Sequence, residues 1–160
     1  MSTVEKRIRL DEAVADLFRC WGFMNVEAQK SMVGRSENEI IFDIYAEKKK
    51  LKGMATVAAM CKSNDYGDVT KEDMGLFVHN LVDCKIEEGY FFTDSYFEMP
   101  AFRAAKCYGV IIFDRDKLNP DFQKYNIPYY CHDKLRIEGI GVELGKMVVD
   151  VLFPQTNYHR

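Results

Sequence analysis

The apolar residues near the start of the chain recur with the period of a helix. Between Leu10 and Trp21 they are spaced one to four positions apart, which places them on one face of an amphipathic helix. Gly22 follows where a helix C-cap is expected, because glycine adopts the left-handed backbone conformation at little cost. A short strand over residues 23–27 and a polar loop over residues 34–39 are predicted next.

Two apolar runs, residues 40–46 and 54–61, predict a pair of antiparallel strands joined by a polar hairpin loop over residues 47–53. Successive side chains on a strand point to opposite faces of the sheet. In this pairing Asp43 and Lys62 share one face, near the end of the sheet that is remote from the hairpin.

The second half of the chain alternates between helical and strand patterns. Thr-Lys-Glu-Asp at residues 70–73 is a capping box and predicts the start of a helix. A buried strand over residues 89–93, a helix over residues 99–108 and a strand over residues 110–113 follow. A strand, a helix and a strand in succession indicate a parallel pair with a right-handed crossover. Residues 119–130 contain two prolines and are predicted to be irregular.

These elements predict one α/β domain over residues 1–118, since no internal repeat or flexible linker interrupts them. Residues 119–160 form a C-terminal extension, with a helix expected over residues 133–153. We expect the extension to pack on the same domain or to form a dimer contact.

Composition narrows the function classes only slightly. The chain has 160 residues, 48% of them hydrophobic, and a formal net charge of −3, so any nucleic-acid site must be local. Its five scattered cysteines form no CxxC pair, which is typical of thiols in a reducing compartment. The N-terminus has no apolar signal core, and no run approaches the roughly 18 apolar residues of a membrane span. We therefore expect a cytoplasmic protein with no membrane attachment.

Asp43 and Lys62 are the strongest candidates for chemistry. An acid on an otherwise apolar strand is unusual, because burying an unpaired carboxylate costs several kcal/mol. A carboxylate and a lysine on adjacent strands are the groups that metal-assisted phosphodiester hydrolysis uses. The alternative is structural, either a salt bridge or two strand-end charges that reach solvent.

The order of these elements, together with Asp43-Ile-Tyr-Ala, Met60-Cys-Lys62 and residues 113–118 (Phe-Asp-Arg-Asp-Lys-Leu), resembles the Mrr-type restriction endonuclease domain. That domain belongs to the PD-(D/E)xK nuclease superfamily, which also includes the archaeal Holliday-junction resolvases. The resemblance covers residues 8–118. It implies a three-layer fold in which a central mixed β-sheet, in the order αβββαβαβ, is flanked by helices. It also implies a DNA endonuclease that depends on Mg²⁺ or Mn²⁺, and it leaves room for a homodimer, since two strands need two cuts.

The resemblance also assigns site residues. The family's metal-binding Asp falls on Asp43 and its motif Lys falls on Lys62. An acid of the first helix, which completes the metal site in several relatives, falls on Asp11 or Glu12. Counting back from Gly22 favours Asp11 as the second metal ligand, whereas similarity to the resolvases also allows Glu12 as a catalytic residue.

Met60 departs from the family pattern, which has Glu, Asp or Gln two residues before the lysine. A thioether is a poor ligand for Mg²⁺, which prefers hard oxygen. Three outcomes are open: the missing ligand comes from Asp11, Glu12 or Glu39, water replaces it, or the site is inactive. The inactive case predicts a degenerate nuclease fold that binds DNA or a protein partner without cleavage. A plain assembly module that dimerises through residues 119–160 is a third hypothesis.

The basic cluster of Lys48, Lys49, Lys50 and Lys52 is the remaining candidate for DNA binding, with Lys48, Lys49 and Lys50 as its main residues, together with Thr93 at a strand end. Such a lysine run is typical of a solvated turn. In a functional role it contacts phosphates without reading base sequence. Thr93 lies beside the presumed site, where it either contacts a phosphate or simply closes a turn.

Overall fold

A five-stranded mixed sheet forms the centre of the computed structural model, which describes residues 8–129. In chain order the elements are α1 (Leu10–Cys20), β1 (Met24–Val33), β2 (Glu39–Lys49), β3 (Met54–Lys62), α2 (Lys71–Asp83), β4 (Glu88–Thr93), α3 (Met99–Tyr108), β5 (Ile111–Phe113) and α4 (Arg115–Lys124). The strands lie in sequence order across the sheet. The β1–β2 and β2–β3 pairs are antiparallel, and the β3–β4 and β4–β5 pairs are parallel.

Two hydrophobic clusters cover the two faces of the sheet and give three layers. Phe18 of α1 and Leu118 of α4 pack on the first face, against residues such as Phe92. Phe77 of α2 and Ala105 of α3 belong to the cluster on the second face. We call these the α1 face and the α2 face. The predicted three-layer fold, mixed sheet and order of elements are confirmed.

The strand after α1 is longer than predicted, and the prediction of residues 23–27 is corrected to Met24–Val33. This strand lies at the edge of the sheet, and most of its residues are exposed. Edge strands carry polar and charged side chains such as Glu27 and Lys30, so the apolar alternation of a half-buried strand is missing from this segment.

Residues 115–124 form α4, which corrects the prediction of an irregular segment there. Asp114 is its N-cap and accepts hydrogen bonds from the main-chain N–H groups of Asp116 and Lys117 at 3.0 and 3.2 Å. Pro120 lies inside this helix, where a proline removes one main-chain hydrogen bond. Phe122 of α4 is 1% exposed and packs in the α1-face cluster, so burial compensates for the weak local signal. The predicted helix over residues 133–153 lies outside the described residues.

The β2 strand changes the face to which its side chains point. Regular alternation would place Ile44 with Phe42, yet Phe42 packs in the α2-face cluster and Ile44 in the α1-face cluster. The irregularity occurs at Asp43. Gln29, which stands opposite in β1, has a left-handed backbone (φ 52°), and this pair is missing from the register that otherwise runs without a shift from Glu27 to Val33. A left-handed residue in a strand interrupts the pleat locally.

Within residues 8–129, no helix is both long and apolar enough to cross a membrane.

Candidate active site

Asp43 lies where β2 and β3 separate. The last residue pair of the β2–β3 ladder is Ile44 with Ala59, so Asp43 is just beyond the paired segment. Its Oδ2 accepts a hydrogen bond of 2.7 Å from the main-chain N–H of Cys61. The carboxylate thus satisfies a main-chain donor of β3 beyond the last β2–β3 pair, and this bond fixes its position.

Asp11 is the acid of α1 that faces Asp43. It is 8% exposed, and its Oδ2 accepts a bond of 2.9 Å from the Arg9 guanidinium. The side-chain amide of Gln29 donates to Asp11 Oδ2 at 3.2 Å and to Asp43 Oδ1 at 3.5 Å. Glu12 is exposed. Of the two acids left open by the sequence, the structure therefore brings Asp11 and not Glu12 to Asp43.

Burial is the main influence on the charge of Asp43. It raises the pKa of this carboxyl above its ordinary value, and the nearby charge of Asp11 acts in the same direction. The hydrogen bonds from Cys61 and Gln29 and the charge of Arg9 act against this rise without cancelling it. A half-buried carboxylate with a second acid beside it is a place where a cation would be stabilised.

Cys61 lies among three acids. Burial, followed by the charges of Asp43, Asp11 and Asp94, holds the pKa of its thiol well above the ordinary value. Cys61 is therefore a neutral thiol at neutral pH. Asp94 is 7% exposed, and its Oδ2 accepts a hydrogen bond of 2.6 Å from the Tyr129 hydroxyl.

The expectation that Asp43 and Lys62 share one face is wrong in this structure, since Lys62 contacts α2 whereas Asp43 lies beside Asp11 of α1. The Lys62 ammonium donates to Asp73 Oδ2 at 2.6 Å and to the Asp68 carbonyl at 2.9 Å. Burial acts to raise the pKa of Asp73, but the hydrogen bonds from Lys62 and Thr70 outweigh it and hold that pKa below its ordinary value. Among the described residues, the ammonium is thus paired with the first turn of α2, whereas Asp43 contacts Gln29 and Cys61.

Met60 contributes no ligand beside Asp11. Its side chain is partly buried and packs against the α2-face cluster, whereas Asp11 belongs to α1. Glu39, which the sequence offered as a replacement, accepts a bond of 2.7 Å from the Ser31 hydroxyl. In the part of the chain from 8 to 129, no three His, Cys, Asp or Glu side chains are grouped to hold a metal ion.

The residues predicted to bind DNA are scattered. Lys48 pairs with Glu88 at 3.2 Å and Lys50 pairs with Glu87 at 2.7 Å, while Lys49 is exposed. Thr93 is 0% exposed, and its hydroxyl accepts the main-chain N–H of Ser95 at 3.0 Å. The structure therefore gives Thr93 a turn-closing contact, and only the lysines are accessible to a duplex.

Two residues of this region are not foreseen by the sequence analysis, Gln29 and Asp73. Gln29 lies in the part of β1 that the apolar pattern does not predict. Its position opposite Asp43 would point to the site only if the pairing of β1 with β2 were already known. The sequence predicts Asp73 as part of a capping box, and the structure confirms this role. Its second role, as the partner of Lys62, depends on the position of α2.

Comparison with known proteins agrees with this architecture. The family model Mrr_cat, described as "Restriction endonuclease", matches residues 6–120. No curated protein matches the chain.

Solved structures that resemble the chain include the following three. A crystal structure of AF1548, a protein of unknown function, has a TM-score of 0.65 at 17% identity, over 86% of this chain and 76% of that one. The MspJI restriction endonuclease in complex with a 27-mer oligonucleotide has a TM-score of 0.47 at 18% identity, over 71% of this chain and 26% of that one. The DNA modification-dependent restriction endonuclease AspBHI has a TM-score of 0.47 at 13% identity, over 81% of this chain and 39% of that one. The chain thus spans about a quarter and two fifths of these two enzymes.

Proposed function

Since the chain belongs to the restriction endonuclease family described by the Mrr_cat model, we propose that it is a divalent-metal-dependent DNA endonuclease that hydrolyses phosphodiester bonds. The family membership confirms the predicted Mrr-type, PD-(D/E)xK nuclease domain. The observation that carries the proposal is the meeting of Asp11 and Asp43, whose carboxylates are bridged by a single amide.

The residues present fit a hard divalent cation. Asp11 and Asp43 offer carboxylate oxygens, the donors that Mg²⁺ and Mn²⁺ prefer. The raised pKa of Asp43 supports the fit, because a cation would offset the cost of a buried negative charge. A bound Mg²⁺ or Mn²⁺ would polarise the scissile phosphate and make an attacking water more acidic.

Four residues of the chain have distinct roles in this proposal, Asp43, Asp11, Cys61 and Lys62. Asp43 and Asp11 hold the cation, and the N–H of Cys61 orients Asp43. Lys62 follows Cys61 directly in β3 and assists the attacking water once its ammonium leaves Asp73. Glu12 is exposed, and we assign it no part in the site.

The alternative function is a degenerate nuclease fold that binds DNA or a protein partner without cleavage. Two observations favour it: Met60 contributes no oxygen, and the ammonium of Lys62 is already paired with Asp73. An active nuclease and a degenerate DNA-binding fold would both bind DNA, so DNA cleavage is the measurement that distinguishes them.

The test is cleavage of linear, methylated and junction DNA with Mg²⁺ or Mn²⁺. We expect Asp43→Asn, Asp11→Asn and Lys62→Ala to lower the rate by at least about a hundredfold. Asp16→Asn is the matched control, because Asp16 is an exposed acid of α1 that pairs with Arg19 and should leave the rate unchanged. Cleavage that survives Asp43→Asn would contradict the proposal.

A second comparison tests the role of Lys62. In the wild type, Asp73 accepts a hydrogen bond from the main-chain N–H of Thr70 and pairs with the ammonium of Lys62. Asp73→Asn keeps an oxygen that can accept from Thr70, but it removes the negative charge that holds Lys62. We expect this variant to cleave faster than the wild type. Absence of cleavage by both proteins, despite measurable Mn²⁺ binding, would favour the degenerate function.

A further inference from the structure

Gln29 occupies an uncommon backbone position beside the two acids. It is a non-glycine residue with φ 52° in the middle of β1, and it stands opposite Asp43, where one pair is missing from the β1–β2 ladder. A left-handed conformation of such a residue costs on the order of 1–3 kcal/mol and persists only where the surrounding structure imposes it. Its side chain reaches Asp11 of α1 and Asp43 of β2.

The amide of Gln29 lies between the two carboxylates. It is within 3.2 Å of Asp11 Oδ2 and 3.5 Å of Asp43 Oδ1, so it bridges the acids that the proposed function assigns to the metal. A carboxamide carries a donor nitrogen and an acceptor oxygen on the same carbon. A half-turn about the last side-chain bond therefore exchanges the NH₂ group for an oxygen, and a neutral amide oxygen is a suitable ligand for Mg²⁺ or Ca²⁺.

The site lacks a third oxygen from any other side chain that the sequence suggested. Met60 packs on the α2 face, Glu39 is bound to Ser31, and Glu12 is exposed. We infer that Gln29 supplies the third protein oxygen to the cation held by Asp11 and Asp43, in place of the acidic or Gln ligand that Met60 has replaced. This inference rests on the proposed function, and it moves a metal ligand from β3 to β1.

The inference predicts effects of opposite sign with and without metal. In Gln29→Glu a third carboxylate joins Asp11 and Asp43, so repulsion lowers the melting temperature of the metal-free protein while a divalent cation binds more tightly. In Gln29→Leu the acids lose their bridging donor and the cation loses a ligand. Gln29→Leu is the discriminating variant: if the amide only donated to the two acids, its removal would leave Mn²⁺ binding unchanged or tighter, because the cation would no longer compete with that donor.

The experiment titrates Mn²⁺ into the full chain and follows it by electron paramagnetic resonance and calorimetry. We expect Gln29→Leu to weaken Mn²⁺ binding at least tenfold and Gln29→Glu to tighten it several-fold. Gln29→Asn is a second variant in case leucine is poorly tolerated at φ 52°, because asparagine accepts this conformation but its amide is one carbon shorter. We expect it to fold and to bind Mn²⁺ more weakly than the wild type.

Asn25→Leu is the matched control. Asn25 is also in β1 with φ 52°, and its side-chain amide also donates to a carboxylate, that of Glu47 at 3.1 Å. It should bind Mn²⁺ as the wild type does. Unchanged or tighter binding in Gln29→Leu and Gln29→Asn, with loss of binding in Asp43→Asn, would overturn the role of Gln29 alone. A wild-type protein that binds no Mn²⁺ would overturn the proposed metal site as well.

Discussion

Asp43 destabilises the fold in its charged form while offering an oxygen ligand. Its pKa is raised above the unfolded value, chiefly by burial. Such a carboxyl stabilises the fold when protonated: the contribution is fully present below the unfolded pKa and is lost as pH rises through the folded pKa. At neutral pH the ionised Asp43 therefore carries a cost, which is typical of residues retained for function.

We predict that Asp43→Asn raises the melting temperature at neutral pH without metal. The asparagine oxygen can still accept from Cys61, and the buried charge disappears. A gain of about 1 kcal/mol corresponds to a rise of roughly 2–4 °C for a chain of this size. Calorimetry across pH should show the difference from wild type growing as pH rises from below the ordinary carboxyl pKa, where Asp43 is protonated, to neutral pH. An equal difference at all pH values would contradict this account.

At the residue scale, the sequence reaches part of the candidate site. The position of Asp43 follows from one acid in an apolar strand, and a count back from Gly22 favours Asp11 over its neighbour. The bridging by Gln29 depends on a left-handed residue in β1, which no periodicity predicts. The pairing of Lys62 with Asp73 depends on how α2 packs, so alternation along β3 could not predict where the ammonium lies.

At the scale of elements, local signals predict α1, α2 and α3, and they fail for α4. The Thr70 capping box and the left-handed Gly109 mark helix ends directly. For α4, Pro120 weakens the helical pattern, and the N-cap Asp114 reads equally well as the end of a strand. Leu118 and Phe122 stabilise this helix by burial against the α1-face cluster, a tertiary effect that sequence propensity does not contain.

We predict that the cap of α4 depends on the oxygen of Asp114 and not on its charge. Asp114→Ala removes the acceptor for two main-chain N–H groups and should lower the free energy of unfolding by about 1 kcal/mol. Asp114→Asn keeps the acceptor and should remain within about 0.5 kcal/mol of the wild type. Urea denaturation of the full chain measures both values. Equal losses in the two variants would mean that the charge matters, contrary to this prediction.

At the scale of the whole molecule, the sheet places the candidate site and the basic hairpin at different positions along β2. Asp43 and Lys49 are six residues apart in the strand, which corresponds to about 20 Å at roughly 3.3 Å per residue. That separation equals about six base pairs of a duplex. A duplex lying along β2 from Asp43 would therefore reach the hairpin, although the net charge of −3 provides no general attraction.

We predict that Lys49 contributes to DNA affinity through phosphate alone. It is exposed, whereas Lys48 and Lys50 are paired with Glu88 and Glu87. Fluorescence anisotropy measures the affinity of the Asp43→Asn protein for a short duplex at salt concentrations from about 50 to 200 mM. These affinities give the slope of log affinity against log salt concentration. Lys49→Ala should reduce this slope by about one for every sequence tested, because phosphate contacts release counterions and read no bases.

Lys106→Ala is the control, because Lys106 is an exposed lysine in the last turn of α3, and it should leave the slope unchanged. If Lys49→Ala gives the same slope as the parent protein, Lys49 contacts no phosphate, contrary to this prediction.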